Sequence, residues 1–98
     1  MKKRTPNYFI IEFFEENRPT KPPYKTKYIN FDNISEIDVY KNPYQVTIHY
    51  KNSNYYDLSY YNSDLTQMGS KDKCREFVKC ITKKIEKAFH EYIGMEEK

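Results

Sequence analysis

The sequence predicts one α+β domain over residues 1–98, with an antiparallel sheet or partial barrel of about five strands followed by one long C-terminal amphipathic helix. Two patterns lead to this prediction. Most of the 11 tyrosines fall in short segments of alternating polarity, and apolar residues near the C terminus recur at helical spacing. A length of 98 residues suffices for one hydrophobic core but not for two.

Five segments carry the strand pattern, and they cover residues 8–14, 24–31, 34–40, 44–51 and 55–61. The first segment is almost continuously apolar, which predicts a strand with both faces at least partly covered. The fourth is the clearest, because Val46 and Ile48 alternate with Thr47 and His49. Residues 52–54 join the fourth segment to the fifth as a hairpin turn, in which an asparagine is expected at positive φ.

A single helix is predicted over residues 70–93. Ser70 is expected to cap its N terminus, and Gly94 is expected to end it. Between these residues runs an apolar stripe that has to cover one face of the sheet. The stripe comprises Cys74, Phe77, Val78, Ile81, Ile85, Ala88, Phe89 and Tyr92.

The spacing of Ile29, Phe31, Ile34 and Ile37 before a hairpin and a closing helix resembles that of small bacterial pleckstrin-homology-like domains. The resemblance covers roughly residues 24–93. It implies a PH-like scaffold that binds proteins, peptides or lipid head groups. It identifies no functional residue in this chain.

The formal net charge of +3 is unevenly distributed along the chain. Residues 18–31 carry four positive charges and no negative one, and residues 71–87 carry seven positive charges against three negative ones. Residues 32–70, in contrast, hold five acidic side chains and two basic ones. A surface with patches of both signs suits a protein partner at least as well as a polyanion.

Composition bears on where the protein acts. No apolar run approaches the ~18 residues that a membrane span needs, and no secretion signal is recognised, so the chain is expected to be cytoplasmic. Cys74 and Cys80 would lie roughly 9 Å apart along one helix, beyond disulfide reach, and are expected to be reduced thiols. Abundant Lys, Asn, Tyr, Ile and Phe beside a single alanine indicate an AT-rich genome, such as that of a low-GC bacterium, its phages or its plasmids.

The sequence shows no set of residues for catalysis, for a metal or for a cofactor. His49 and His90 have no partner at ligand spacing, and two glycines are too few for a phosphate-binding loop. Cys74 is expected to be a small core residue and Cys80 an exposed thiol. The chain is therefore predicted not to be an enzyme.

The preferred prediction is a non-catalytic binding module that acts by protein–protein interaction. Small proteins of this composition are common among the inhibitors and adaptors of phages, plasmids and low-GC bacteria. The contact surface is predicted to be the outward face of the hairpin over residues 44–61 together with the basic loop at residues 18–28. The residues concerned are Arg18, Lys21, Lys25, Lys27, Gln45, Thr47, His49, Tyr55 and Tyr61.

Two other modes of binding stay open. Tyrosines and lysines on a sheet face also suit a single-stranded nucleic acid, because bases stack on aromatic rings while phosphates pair with cations. An edge strand can in addition pair with a strand of a partner or of a second copy, and the latter pairing would make a homodimer.

Overall fold

The computed structural model of the chain describes residues 7–16 and 21–96. Within these ranges it contains five strands, two short 3-10 turns at Phe31–Asn33 and Ser63–Leu65, and one long helix. The strands are β1 (Tyr8–Phe13), β2 (Lys25–Asn30), β3 (Ile34–Lys41), β4 (Tyr44–Tyr50) and β5 (Tyr55–Leu58), and the helix is α1 (Lys71–Glu96). The predicted α+β class and the predicted order of strands and helix are confirmed.

The strands are divided between two antiparallel sheets rather than joined in one. β1 pairs with β2, and the second sheet has the strand order β3-β4-β5. The division falls at the 3-10 turn between β2 and β3, where the Asp32 N–H donates to the Asn30 side chain at 2.9 Å. This turn redirects the chain and places the Phe31 side chain in the core.

The apolar stripe of α1 covers the inner faces of both sheets. Phe77 packs against Phe13 of β1 with ring centroids 5.4 Å apart, and Phe89 packs against Phe31 at the same distance. The fully buried residues beneath and within the helix are Ile11, Phe13, Ile29, Phe31, Val46, Ile48, Leu58, Leu65, Val78 and Ile85. The predicted stripe is confirmed as the element that closes the core.

β1 is buried on one face, and the apolar side chains of its other face are only about half covered. Ile11 and Phe13 are buried, whereas Tyr8 and Ile10 are 53% and 52% exposed. Tyr28 lies opposite Ile10 on β2 and is 67% exposed. These three side chains form an apolar patch on the outer face of the two-stranded sheet, and a continuous apolar run in the sequence does not distinguish such a patch from a buried face.

β5 ends at Leu58 and not at residue 61. The Asn62 N–H donates to the Ser59 carbonyl at 3.0 Å, and Asn62 Nδ2 donates to the Asp57 carbonyl at 2.6 Å, which closes a turn directly after the strand. Tyr61 therefore lies outside the hairpin on which it was predicted.

The two turns of the three-stranded sheet join β3 to β4 and β4 to β5, and the second is the turn predicted at residues 52–54. The Asn42–Pro43 peptide bond is cis in the turn between β3 and β4. In the turn between β4 and β5, positive φ falls on Ser53, at 75°, and not on an asparagine. Asn52 instead uses its side-chain oxygen to accept the Asn54 N–H at 3.0 Å, which stabilises the turn without positive φ at either asparagine.

The helix begins where expected but continues past its predicted end. The Lys73 N–H donates to Ser70 Oγ at 3.3 Å, so Ser70 caps the N terminus as predicted. At the other end the helix passes through Gly94 to Glu96. Gly94 does not take the positive φ that would end a helix, so it does not act as the predicted stop.

Gly69 holds the loop before α1 against the end of β1. Its φ of +114° lies in the region that favours glycine, and a Cβ at this position would lie 2.2 Å from Glu16 Oε2. Glu16 also accepts a hydrogen bond from Lys73 Nζ at 2.7 Å, while its N–H donates to the Gln67 carbonyl at 3.0 Å. A side chain at residue 69 would therefore disturb the contact between the first strand and the helix.

Thr82 offers a test of how the core is packed. Its side chain is buried, and its Oγ1 has no hydrogen-bond partner within the described ranges. We expect Thr82→Val to raise the free energy of unfolding by about 1 kcal/mol, because it removes an unsatisfied hydroxyl at nearly constant shape. Thr47→Val is the matched control with the opposite expected sign, since Thr47 Oγ1 donates to Asp57 Oδ1 at 2.9 Å. Urea unfolding measures both, and a Thr82→Val protein less stable than wild type would contradict this packing.

Candidate functional site

An open groove of about 890 Å³ lies between the outer edge of β3 and the C-terminal half of α1. Its floor is apolar, with Ile37 and Val39 from β3 and Phe89 and Ile93 from α1. Ionisable side chains surround this floor, and they are Glu36, Lys83, Glu86, Lys87, His90 and Glu91. We call this feature the β3–α1 groove.

The direction of the backbone N–H and C=O groups in β4 determines which N–H and C=O groups of β3 have no hydrogen-bond partner within the sheet. The Tyr50 N–H donates to the Asn54 carbonyl on the β5 side, and the adjacent Lys51 N–H donates to the Asn33 carbonyl on the β3 side, both at 2.8 Å. Backbone groups alternate in this way along an antiparallel strand. Successive residues of β4 therefore point their N–H and C=O groups in turn towards β5 and towards β3.

The pairing register between β3 and β4 determines which residues of β3 point their backbone groups towards β4. Glu36, Asp38 and Tyr40 pair with the β4 residues whose backbone groups face β3, so their own N–H and C=O groups are used within the sheet. Ile37 and Val39 point these groups away from β4. No strand and no backbone group of residues 7–16 or 21–96 pairs with them on that side. Both residues thus present unpaired backbone groups at the same edge where they line the groove.

The outer face of the same sheet carries three of the side chains that were predicted to bind. Gln45 Nε2 and Thr47 Oγ1 both donate to Asp57 Oδ1, at 2.7 and 2.9 Å. His49 Nε2 lies 2.8 Å from Asp38 Oδ2. The structure places Gln45, Thr47 and His49 on one face, as predicted, but their polar groups are engaged across strands and so stabilise the sheet.

The two tyrosines predicted to accompany them lie apart from each other. Tyr55 is opposite His49 on β5 and is 68% exposed. Tyr61 is 74% exposed, but it lies in the turn after β5, where its ring centroid is 4.1 Å from that of Tyr60. The Arg75 guanidinium lies 4.5 Å from the Tyr60 ring centroid. Tyr61 therefore belongs to a cluster beside the start of α1 and not to the hairpin face.

Of the four cations predicted to form a basic loop, the structure describes Lys21, Lys25 and Lys27. Arg18 falls outside the described residues, and Lys21 is exposed. Lys25 and Lys27 alternate with outward residues of β2 and share its inner face with the buried Ile29. Lys25 pairs with Asp64 while its side chain stays 44% exposed, and Lys27 lies over the Tyr56 ring, so these two lysines also make contacts within the fold.

Lys25 contacts Asp64, and Lys27 contacts Tyr56, which itself donates to Asp64. Lys25 Nζ and the Tyr56 hydroxyl donate to its carboxylate at 2.5 and 2.6 Å, and the Tyr24 hydroxyl donates to its backbone carbonyl. Lys27 Nζ lies 3.9 Å from the Tyr56 ring centroid, and burial together with the charge of Lys25 lowers its pKa. Burial opposes ionisation of Asp64, but the hydrogen bonds from Lys25 and Tyr56 outweigh it and hold the pKa of this carboxyl below its usual value. Asp64 thus ties the first sheet to the segment after the second.

The cysteines and the remaining ionisable groups show no reactive arrangement. Cys74 is buried with its Sγ 3.6 Å from the Leu65 carbonyl, and burial raises the pKa of its thiol. Cys80 is exposed, and both thiols are free, as predicted. Among residues 7–16 and 21–96, no three His, Cys, Asp or Glu side chains are grouped to hold a metal ion, and no helix is long and apolar enough to cross a membrane.

Comparison of the chain with models of protein families, with curated proteins and with solved structures finds no match. No relative therefore contributes a functional residue. The candidate sites described by the geometry are therefore the β3–α1 groove and the neighbouring sheet face.

Sequence reasoning did not identify the groove, because its position depends on where α1 lies across the sheet. One signal was present. Glu36 and Asp38 put two carboxylates on one face of β3, and charged residues are a common protection of edge strands. The same pattern places the apolar Ile37 and Val39 on the opposite face.

The Asp64 cluster predicts an acid-dependent loss of stability. Since its folded-state pKa lies below the ordinary 3.8, ionised Asp64 contributes stability above about pH 4, and this contribution is lost as the pH falls through the folded-state value. We expect Asp64→Asn to lower the free energy of unfolding by about 1 to 2 kcal/mol near neutral pH. The difference from wild type should shrink as the solution is acidified.

Denaturant unfolding at a series of pH values measures this difference. Glu86→Gln is the control, because it removes an exposed carboxyl on α1. A deficit of Asp64→Asn that stays constant from neutral to strongly acidic pH would show that the charge of Asp64 is not what stabilises the fold.

Proposed function

We propose that this chain is a non-catalytic binding module that acts in the cytoplasm by protein–protein interaction through the β3–α1 groove. The observation that supports the proposal is the presence of an apolar floor and unpaired backbone groups at one edge of the sheet. The floor offers apolar area whose burial stabilises a complex by about 25 cal/mol per Å². The backbone groups of Ile37 and Val39 offer hydrogen bonds whose geometry is already fixed by β3.

The shape of the groove favours a polypeptide over a small ligand. Most small ligands are enclosed on several sides by their pocket. This groove is open along one side, and the open side carries the free edge of a strand. An elongated partner can use the whole edge, whereas a compact ligand would leave most backbone groups unpaired.

A single-stranded nucleic acid has less support as the ligand. Lys25 is paired with Asp64 and Lys27 lies over Tyr56, so a phosphate would have to compete with these contacts. The edge of β3 instead presents Glu36 and Asp38, which repel phosphate groups. The exposed Tyr55 still fits base stacking, and it lies at the far side of the sheet from the groove.

The proposed binding function fits that of a small inhibitor or adaptor protein from a phage, a plasmid or a low-GC bacterium. Such a protein acts by occupying a surface of its partner, which needs no catalytic group. The resemblance to a PH-like scaffold stays a prediction. The sequence-predicted residues Gln45, Thr47 and His49 lie on the strand next to β3, so they border the proposed contact.

Substitution of the groove floor tests this proposal. Ile93 is 37% exposed at the end of α1, and Ile93→Lys puts a charge on the floor while keeping a residue that suits a helix C terminus. The matched control is Tyr28→Lys, which makes a similar change on the outer face of β2. We expect wild type and Tyr28→Lys to retain the same partner from nuclease-treated lysate of the native host, and Ile93→Lys to retain at least about tenfold less.

Quantitative mass spectrometry of the retained proteins gives the readout. If Ile93→Lys retains the same proteins in the same amounts as wild type, the groove is not the contact site. If retention depends on nucleic acid that the nuclease removes, the nucleic-acid alternative replaces the proposal.

A further inference from the structure

The free edge of β3 has two chemically different faces. Ile37 and Val39 lie opposite the buried Ile48 and Val46 and line the groove. The intervening Glu36 and Asp38 belong to the outer face of the sheet. A strand that pairs with β3 would place its side chains alternately over the groove and beside these two carboxylates.

We propose that the β3–α1 groove binds an extended segment of a partner protein in which apolar residues alternate with lysine or arginine, and that this segment adds to β3 as a fourth strand of the sheet. The inference rests on the proposed function and names the chemistry of the partner. Main-chain hydrogen bonds to Ile37 and Val39 hold the segment, and its alternate side chains determine its specificity.

The apolar half of this pattern follows from the floor of the groove. Residues of the segment that lie directly across from Ile37 and Val39 face Phe89 and Ile93 on α1. Ionisable side chains such as Glu86 and His90 surround this floor but do not form it. An apolar residue directly over the floor buries apolar area on both partners, whereas a charged residue there would lose part of its hydration.

The basic half follows from the outer face. Opposite charges that face each other across strands stabilise a sheet, and like charges destabilise it. Glu36 forms no ion pair within residues 7–16 and 21–96, and Asp38 is engaged only with His49. The attraction of a basic peptide to Glu36 and Asp38 acts only at short range. At longer range the net charge of +3 on the chain repels such a peptide.

A second copy of the chain is a poorer occupant of the same edge. Antiparallel pairing of two copies of β3 about Ile37 would put Glu36 of each against Asp38 of the other, and pairing about Asp38 would put the two Asp38 carboxylates together. Both registers place like charges directly across from each other. These two registers of self-pairing are therefore disfavoured relative to pairing with a basic strand.

Synthetic peptides provide the test. The probe is an end-capped peptide of alternating valine and lysine, and the charge control is the same peptide with glutamate in place of lysine. A third peptide carries N-methyl groups on the backbone nitrogens of one edge of the valine-lysine sequence, which removes the donors needed for strand addition. Titration calorimetry at physiological salt is expected to show binding of the valine-lysine peptide at least about tenfold tighter than that of the two controls.

Two variants of the protein locate the binding. Val39→Pro removes an N–H that faces away from β4, so it leaves the β3–β4 pairing intact and should abolish binding of the peptide. Glu36→Lys should reduce the preference for the lysine peptide over the glutamate peptide several-fold. Glu12→Lys makes the same charge change on the exposed face of β1 and should leave that preference unaltered. If Val39→Pro fails to fold, the N-methylated peptide still tests whether binding needs main-chain hydrogen bonds, because it removes the donors of the peptide instead of that of the protein.

Each contrary result overturns the inference. Equal affinity for the lysine and glutamate peptides would remove the acidic edge from recognition, and equal affinity for the N-methylated peptide would remove strand addition. Absence of binding to all three peptides would reject the alternating pattern, and a stable dimer of the protein would make a second copy the occupant. If Ile93→Lys still loses its partner in the capture experiment, the binding module stands and only the partner chemistry is wrong.

Discussion

One amphipathic helix has to cover the inner faces of two separate sheets, and the rest of the structure depends on how it does so. The stripe of α1 reaches the first sheet through Phe77, which packs on Phe13, and it reaches the turn between the sheets through Phe89, which packs on Phe31. Val78 and Ile85 are buried between these points. A helix about 10 Å wide cannot reach all five strands equally. The helix does not cover the outer edge of β3, and the β3–α1 groove lies between this edge and α1.

A second constraint is the connection between the sheets. Apolar packing under α1 holds the sheets together, but the placement of β2 relative to the segment after β5 depends on Asp64 and its partners. Desolvation offsets part of the attraction in a partly buried ion pair, but the loss of one partner still leaves the other without its hydrogen bonds. Lys25 and Lys27 both take part in these contacts, so the basic sequence of this segment does not by itself predict where its cations point.

Local pattern sufficed to predict the elements but not their arrangement. The alternation around Val46 and Ile48 and the stripe from Cys74 to Tyr92 are properties of neighbouring residues, and both were read correctly from the sequence. The division into two sheets, the exposure of Tyr8 and Ile10, and the direction of Lys27 depend on contacts between distant segments. The groove could not be predicted for the same reason, since neither β3 nor α1 alone contains it. The alternation of Ile37 and Val39 with two acidic residues was the one local sign of an edge.

The account of function depends on the claim that Ile37 and Val39 present free backbone groups at the edge of β3. Native-state amide hydrogen exchange of the unliganded protein, followed by NMR, tests this claim directly. The account predicts fast exchange of the Ile37 and Val39 amides beside strong protection of the Asp38 and Tyr40 amides, which bond to β4. Equal protection of all four amides would show that the edge is already paired, and it would contradict the proposal that the groove is open to a partner.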